Sequence, residues 1–199
     1  MPIDTRRLNS HAEAGFTLIE LMVALVVFLI LAALAIPGFT TYLEKSRVRG
    51  AADSVVNQIA QARQVAVKYD REVSLATTVT GSDWCLGALE AADPAPGQQA
   101  TGAAACNCNT APAACLVDGR EMVVAKAQHR DIALSSPAAT LTFDGRLGVR
   151  SDASVGNADA SSFALTSPSG RYSLTVRVSP LGQASVCTTT GNILGYPSC

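Results

Sequence analysis

Six cysteines, two histidines and one carboxylate inside an apolar run are the groups best placed to do chemistry in this 199-residue chain. Cys85, Cys106, Cys108 and Cys115 supply enough thiolates for a zinc site, but the spacing argues against one. Structural zinc sites use two C-x₂₋₄-C knuckles, and here a single C-x-C stands with two separated cysteines. All six cysteines lie between Cys85 and Cys199, and an even number so confined predicts disulfides in an oxidising compartment. Cys106 and Cys108 are too close to pair without strain, so each is expected to bond to Cys85 or Cys115, with connectivity open. His11 and His129 are the only histidines. His129, between Gln128 and Arg130, reads as a surface residue. The chain has no G-x-S-x-G elbow, no phosphate-cradling glycine loop and no histidine pair for a metal, so no enzyme, cofactor or metal is expected. Asp152, Asn157 and Asp159 miss the calcium-loop spacing and read as a polar turn.

Glu20 raises a different question. From Phe16 to Ile36 the chain is almost unbroken hydrocarbon, and Glu20 sits near its start. About 20 apolar residues span a bilayer as helix, and a charge there costs a few kcal/mol or more. A secretory signal, with Arg6 and Arg7 ahead and "ALA" at Ala33–Ala35, leaves Glu20 unexplained, and its apolar run is too long. A plain membrane anchor also leaves it unexplained.

The stretch "GFTLIE" resembles the processing site of type IV prepilins and type II secretion pseudopilins. The resemblance implies cleavage after Gly15, N-methylation of Phe16, and pairing of Glu20 with the terminal amine of a neighbouring subunit. A buried carboxylate then has the cationic partner it needs. Arg6 and Arg7 would hold the leader in the cytoplasm, leaving the cysteines in the periplasm. Pro37 falls where many pilins have a proline, and it predicts a kink or local melting.

The elements that position these groups follow from periodicity. Val48, Ala52, Val55, Ile59, Ala62, Ala66 and Tyr69 step by three and four, one stripe of a helix. Arg49, Asp53, Asn57, Gln61, Gln64 and Lys68 lie off it. From Arg71 on, short β-branched stretches predict strands: "REVSLATTV", "REMVVAKA", "DIALSS", "ATLTFD", "SFALTS", "YSLTVRVS" and "QASVCTT". Tyr172, Leu174, Val176 and Val178 share one face of such a strand. Ala91–Ala114, rich in Ala, Pro and Gly, reads as a long loop held by cysteines. The expected fold is α+β, a long N-terminal hydrophobic and amphipathic helix packed on an antiparallel β-sheet domain. The segments are 1–15 leader, 16–37 transmembrane and filament-core helix, 38–70 amphipathic continuation, and 71–199 β-rich domain.

"WCLG", "LTFDGRLG" and "SGRYSLTVRVSPLGQASVC" resemble FimT/FimU-type minor pilins and H-type pseudopilins. That implies a structural, non-catalytic subunit in a tip or priming complex of a type IV pilus. The alternatives are an H-type pseudopilin of type II secretion and a DNA-binding pilin for natural transformation. Implied partners are other minor and major pilins, the prepilin peptidase/methyltransferase and inner-membrane lipid. Implied localisation is the inner membrane, single-pass with the globular domain in the periplasm before assembly, and then the pilus fibre, at its tip. Cys187 and Cys199 resemble the C-terminal disulfide loop of pilins. The DNA-binding members carry Gly-Arg-x-Arg, where this chain has Gly182 with Gln183 and Ser185. Phosphate binding needs cations, and from residue 71 on, eight Lys/Arg face ten Asp/Glu. Arg146, Arg150, Arg171 and Arg177 are the candidate DNA contacts, and scattered surface arginines are the favoured reading.

Overall fold

The computed structural model describes residues 15–92, 98–136, 140–151 and 161–199. The leader's Arg6, Arg7 and His11, and the polar-turn trio Asp152, Asn157 and Asp159, lie outside the described residues. The architecture is α+β, as expected. Among the described residues, helix α1 runs Leu18–Tyr69 and is followed by ten strands and one 3₁₀ turn, Pro112–Ala114. Two compact units result, one ending at Thr41 and the other running from Tyr42 to Cys199.

Within the first unit the large side chains are exposed, Phe16 at 86% and Leu34 at 75% among them. Among the described residues no single helix is long and apolar enough to cross a membrane; Leu18–Leu34 and Gly38–Tyr69 pass that test only when taken together, on length and composition alone.

In the second unit the stripe works as a stripe. Val48, Ala52, Val55, Ile59, Ala62 and Ala66 are all fully buried. Tyr69, the last residue of α1, is exposed instead, and its hydroxyl donates to Asp118 at 2.9 Å. The small residues at positions 51, 52, 62 and 66 let sheet side chains come close to the helix backbone. This face joins one continuous core with residues of both four-stranded sheets.

The first sheet contains β1 (Val73–Thr80), β2 (Asp83–Glu90), β5 (Val123–Ala125) and β7 (Thr140–Phe143) in the order β5-β2-β1-β7. The second contains β6 (Ala133–Ser135), β8 (Ser162–Thr166), β9 (Ser173–Val178) and β10 (Ala184–Thr190) in the order β10-β9-β8-β6. A small hairpin pairs β3 (Leu116–Val117) with β4 (Arg120–Glu121). All strand pairs are antiparallel. The expected β9 face holds: Leu174, Val176 and Val178 enter the core, and Tyr172 packs against it.

Strand β2 carries no alternating signal in the sequence, and the structure explains this. Trp84, Leu86 and Ala88 face the main core, while Cys85 turns to a second cluster with Cys106, Cys108 and Cys115. Both faces are covered, so apolar and small residues follow one another without polar interruptions. Trp84 is fully buried, and its indole N–H donates to the Ile132 carbonyl at 2.7 Å.

Candidate assembly site

The start of α1 is locally encoded. Thr17 precedes the first helical residue and Glu20 is the third within it, the S/T-x-x-E spacing of a capping box. The backbone N–H of Glu20 donates to Thr17 Oγ1 at 3.3 Å, which satisfies one of the orphan donors of the first turn. Its acidic side chain also lies at the positive end of the helix. "TLIE" therefore carries a helix-start signal in its spacing, one that the apolar pattern of the run does not reveal. Glu20 is exposed on the isolated chain, as are Gly15 and Phe16 beside it.

The cysteines form three bridges. Cys85 bonds Cys108, Cys106 bonds Cys115, and Cys187 bonds Cys199. The second lies over Gly87 on β2, and the first starts from β2 at Cys85. A Cβ added there would lie 2.6 Å from Cys115 Sγ and 2.7 Å from Cys106 Sγ. Glycine is the residue that leaves room for the Cys106–Cys115 bridge, and only the folded arrangement reveals that need. Two bonds across β2 restrain the loop after it, which otherwise has little regular structure. Ser74, buried on β1, adds a hydroxyl contact to the Ala104 carbonyl.

Two glycine turns close on the far end of α1. Gly148 (φ 63°) follows β7, and Gly182 (φ 75°) joins β9 to β10. Both need the left-handed conformation that glycine adopts cheaply. An added Cβ on Gly182 would lie 2.4 Å from the Gly148 carbonyl, and Arg63 Nε donates to that same carbonyl at 2.9 Å. The "LTFDGRLG" and "SPLGQAS" stretches are thus two turns pinned to one arginine of the helix. Arg49, off the buried stripe, plays a similar part at the C-terminus: it donates to the Leu194 carbonyl at 2.6 Å and lies over the Tyr196 ring, 5.9 Å from its centroid.

The candidate DNA-contact arginines do not behave alike. Arg150 is 5% exposed, donates to the Val178 carbonyl at 3.2 Å, and its backbone N–H bonds Pro180. It ties the two sheets together and is not a surface arginine, because its guanidinium serves strand carbonyls. Arg171 pairs with Glu44 at 3.7 Å. Arg146 and Arg177 are exposed. His129 is also corrected: it is half-buried and lies parallel to Trp84, with ring centroids 6.3 Å apart. Burial holds its pKa below the usual histidine value. Among the described residues no group of three or more His, Cys, Asp or Glu could hold a metal ion.

The chain is similar to known proteins. Residues 10–36 match the prokaryotic N-terminal methylation motif. Residues 51–182, well over half of the chain, match the family described as type II transport protein GspH. The chain belongs to the GspH family. The family match covers α1 from residue 51 through the Gly182 turn, so both glycine turns and Arg63 fall inside it. A fimbrial protein of Pseudomonas aeruginosa is 34% identical over 79 residues, covering 40% of this chain and 51% of the relative. This GspH-family chain thus spans about half the length of the curated relatives it matches. The crystal structure of the P. aeruginosa type IV minor pilin FimU aligns at 15% identity with a TM-score of 0.43, over 73% of this chain and 91% of that one.

Proposed function

We propose that this GspH-family protein is a structural, non-catalytic minor pilin of the FimU type that takes part in assembling a type IV pilus. The observation that carries the reading is the joining, in one chain, of the methylation motif at 10–36 and the GspH domain at 51–182. The leader is removed after Gly15 by the prepilin peptidase, which methylates Phe16. Residues 16–37 enter the inner membrane as a single pass, and the disulfide-bonded part lies in the periplasm. The exposed apolar surface of α1 supports this, because such a surface needs lipid or other helices to cover it. On assembly, Glu20 takes the Phe16 amine of a neighbouring pilin as its partner, and the subunit joins a tip or priming complex.

A second reading, an H-type pseudopilin of type II secretion, is favoured by the description of the matching family itself. DNA uptake has less support. Gln183 and Ser185 occupy the turn after Gly182, and Arg150 is committed to a strand carbonyl. The deciding experiment shears surface fibres from cells and probes them for this protein. Its presence in sheared pili supports the pilus reading. Its absence there, with loss of protein secretion on deletion, supports the pseudopilin.

A further inference from the structure

The bridges of the second cluster are interleaved. Along the chain its cysteines run Cys85, Cys106, Cys108 and Cys115, and the first is joined to the third and the second to the fourth. The joined residues are 23 and 9 positions apart. Joining neighbours in order, Cys85 with Cys106 and Cys108 with Cys115, would link residues 21 and 7 positions apart. Loop-closure entropy separates the two sets by only about twofold, and it favours the consecutive one. The remaining set needs a bond between Cys106 and Cys108, which one intervening residue makes strained.

Local structure does not choose between Cys106 and Cys108 either. Among the described residues of 98–115, the regular structure is the Pro112–Ala114 turn and a single bridge from Ala100 to Arg71. Side chains tie this segment to β1: the Ser74 hydroxyl meets the Ala104 carbonyl, and Asn109 Nδ2 donates to the Thr78 carbonyl at 3.3 Å. These contacts need β1 in its sheet. That sheet is completed by β5 and β7, which both follow Cys115 in the chain. A chain made N-terminus first presents all four thiols before the strands that place them. In the finished fold Cys85 and Cys115 are wholly buried, and Cys106 and Cys108 are 6% and 5% exposed. Burial closes the native bridges to an attacking thiolate.

We infer that this chain is a substrate of a protein thiol–disulfide isomerase, a partner with a reactive cysteine thiolate in the compartment where the bridges form. A protein disulfide oxidant takes two electrons and two protons for each bridge first formed, and it pairs the cysteines in order at least as readily as natively. The isomerase thiolate then attacks Cys108 Sγ of a Cys108–Cys115 bridge, forming a mixed disulfide and releasing the Cys115 thiolate. Cys115 attacks Cys106 of the Cys85–Cys106 bridge and releases Cys85. Cys85 attacks Cys108 in the mixed disulfide and releases the isomerase thiolate. Two bridges stand before and two after, with no net oxidation. Exchange stops there because the native pair is buried against Gly87. Cys187 and Cys199 are neighbours in order and need no such step. The partner's presence rests on the periplasmic reading above. The mispairing does not, and the two are tested apart.

The mature full-length protein is reduced, unfolded and refolded in detergent with diamide, an oxidant that leaves no free thiol. After the diamide is removed, one portion receives a catalytic amount of reduced glutathione. Cleavage after Glu90, Asn107 and Asn109 puts each cysteine of the cluster on its own peptide, and the linked peptides are weighed. The consecutive set is expected in about half or more of the diamide product, and added thiol should raise the native set by about twofold or more. Cys187–Cys199 should be native in both portions. The native set alone in the diamide product overturns the proposal, as does a consecutive set that thiol does not convert. Cys85→Ser with Cys108→Ser leaves one bridge to make in the cluster, and it should form without thiol. If that variant needs thiol too, interleaving is not the cause and the proposal falls. In cells lacking their periplasmic isomerase the protein should carry the consecutive set, and in wild-type cells the native set. Native pairing in both overturns the partner. Free thiols at all six cysteines in both kinds of cell would instead sink the periplasmic reading and leave the refolding result standing.

Discussion

Glu20 has two roles to separate, one within the chain and one between chains. Its backbone closes the first turn on Thr17, and its carboxylate is the proposed partner of a neighbour's Phe16 amine. Glutamine suits the third position of a capping box as well as glutamate does, so Glu20→Gln leaves the helix start intact and removes only the charge. We expect Glu20→Gln and Glu20→Ala to insert and be cleaved normally but to be depleted from fibres. Loss of one member of a buried ion pair costs ~3–5 kcal/mol. Fractionation into membrane-bound, cleaved and fibre-incorporated protein checks this, and normal incorporation of Glu20→Gln would remove the carboxylate from the assembly contact. Gly87 offers a second residue-scale test. Alanine there meets two sulfur atoms inside van der Waals distance, and overpacking of this kind costs ~1–3 kcal/mol. Urea denaturation of Gly87→Ala should show that loss, together with free thiols at Cys106 and Cys115. His129 sets a pH dependence. Burial lowers its folded pKa, so below the ordinary value of about 6.5 the unfolded chain takes the proton first. Stability is therefore full above that value and falls as pH drops through it. Thermal unfolding between pH 7 and 5 should drop more for the wild type than for His129→Asn.

Among the elements, α1 and β2 differ most in how far their sequences reveal them. The α1 stripe is legible because one helix face packs and the other does not, and all but its last member are buried. Tyr69 departs because the helix ends there, with Asp70 at φ 51° turning the chain toward β1. Strand β2 is illegible because the main core covers one face and a disulfide cluster covers the other. The C-terminal element β10 continues into a loop that returns to it: Cys199 N–H donates to the Thr188 carbonyl at 3.0 Å, and Cys187 bonds Cys199. Closing a loop of this size is worth ~3 kcal/mol in the chain-entropy account. Replacing both cysteines by serine should lower unfolding stability by about that amount. Peptide mapping without reductant should recover residues 187 and 199 of the wild type in one fragment.

For the whole molecule, the first test is processing. Intact-mass measurement of membrane-extracted protein should give a chain that begins at Phe16 and carries one methyl group. A start at Ile36 would mean an ordinary signal peptide and would end the pilin reading. The sequence by itself determined what depends on near neighbours along the chain. The apolar run with Glu20, the helical stripe from Val48 to Ala66, seven of the strand stretches and the α+β class all follow from local periodicity and turn chemistry. Tertiary structure decided what depends on residues distant in sequence. It paired Cys85 with Cys108 and Cys106 with Cys115, a choice that spacing leaves open because Cys106 and Cys108 are nearly equivalent along the chain. It took Arg150 out of the surface and gave it to a carbonyl 28 residues away. It made a glycine on β2 indispensable by laying a bridge over it. It turned Gln58 inward, where its amide answers carbonyls of β2 and Met122. Each of these is set by which backbone groups and side chains meet across the sheets and helix, and burial makes an unmet polar group or a single extra carbon costly only there.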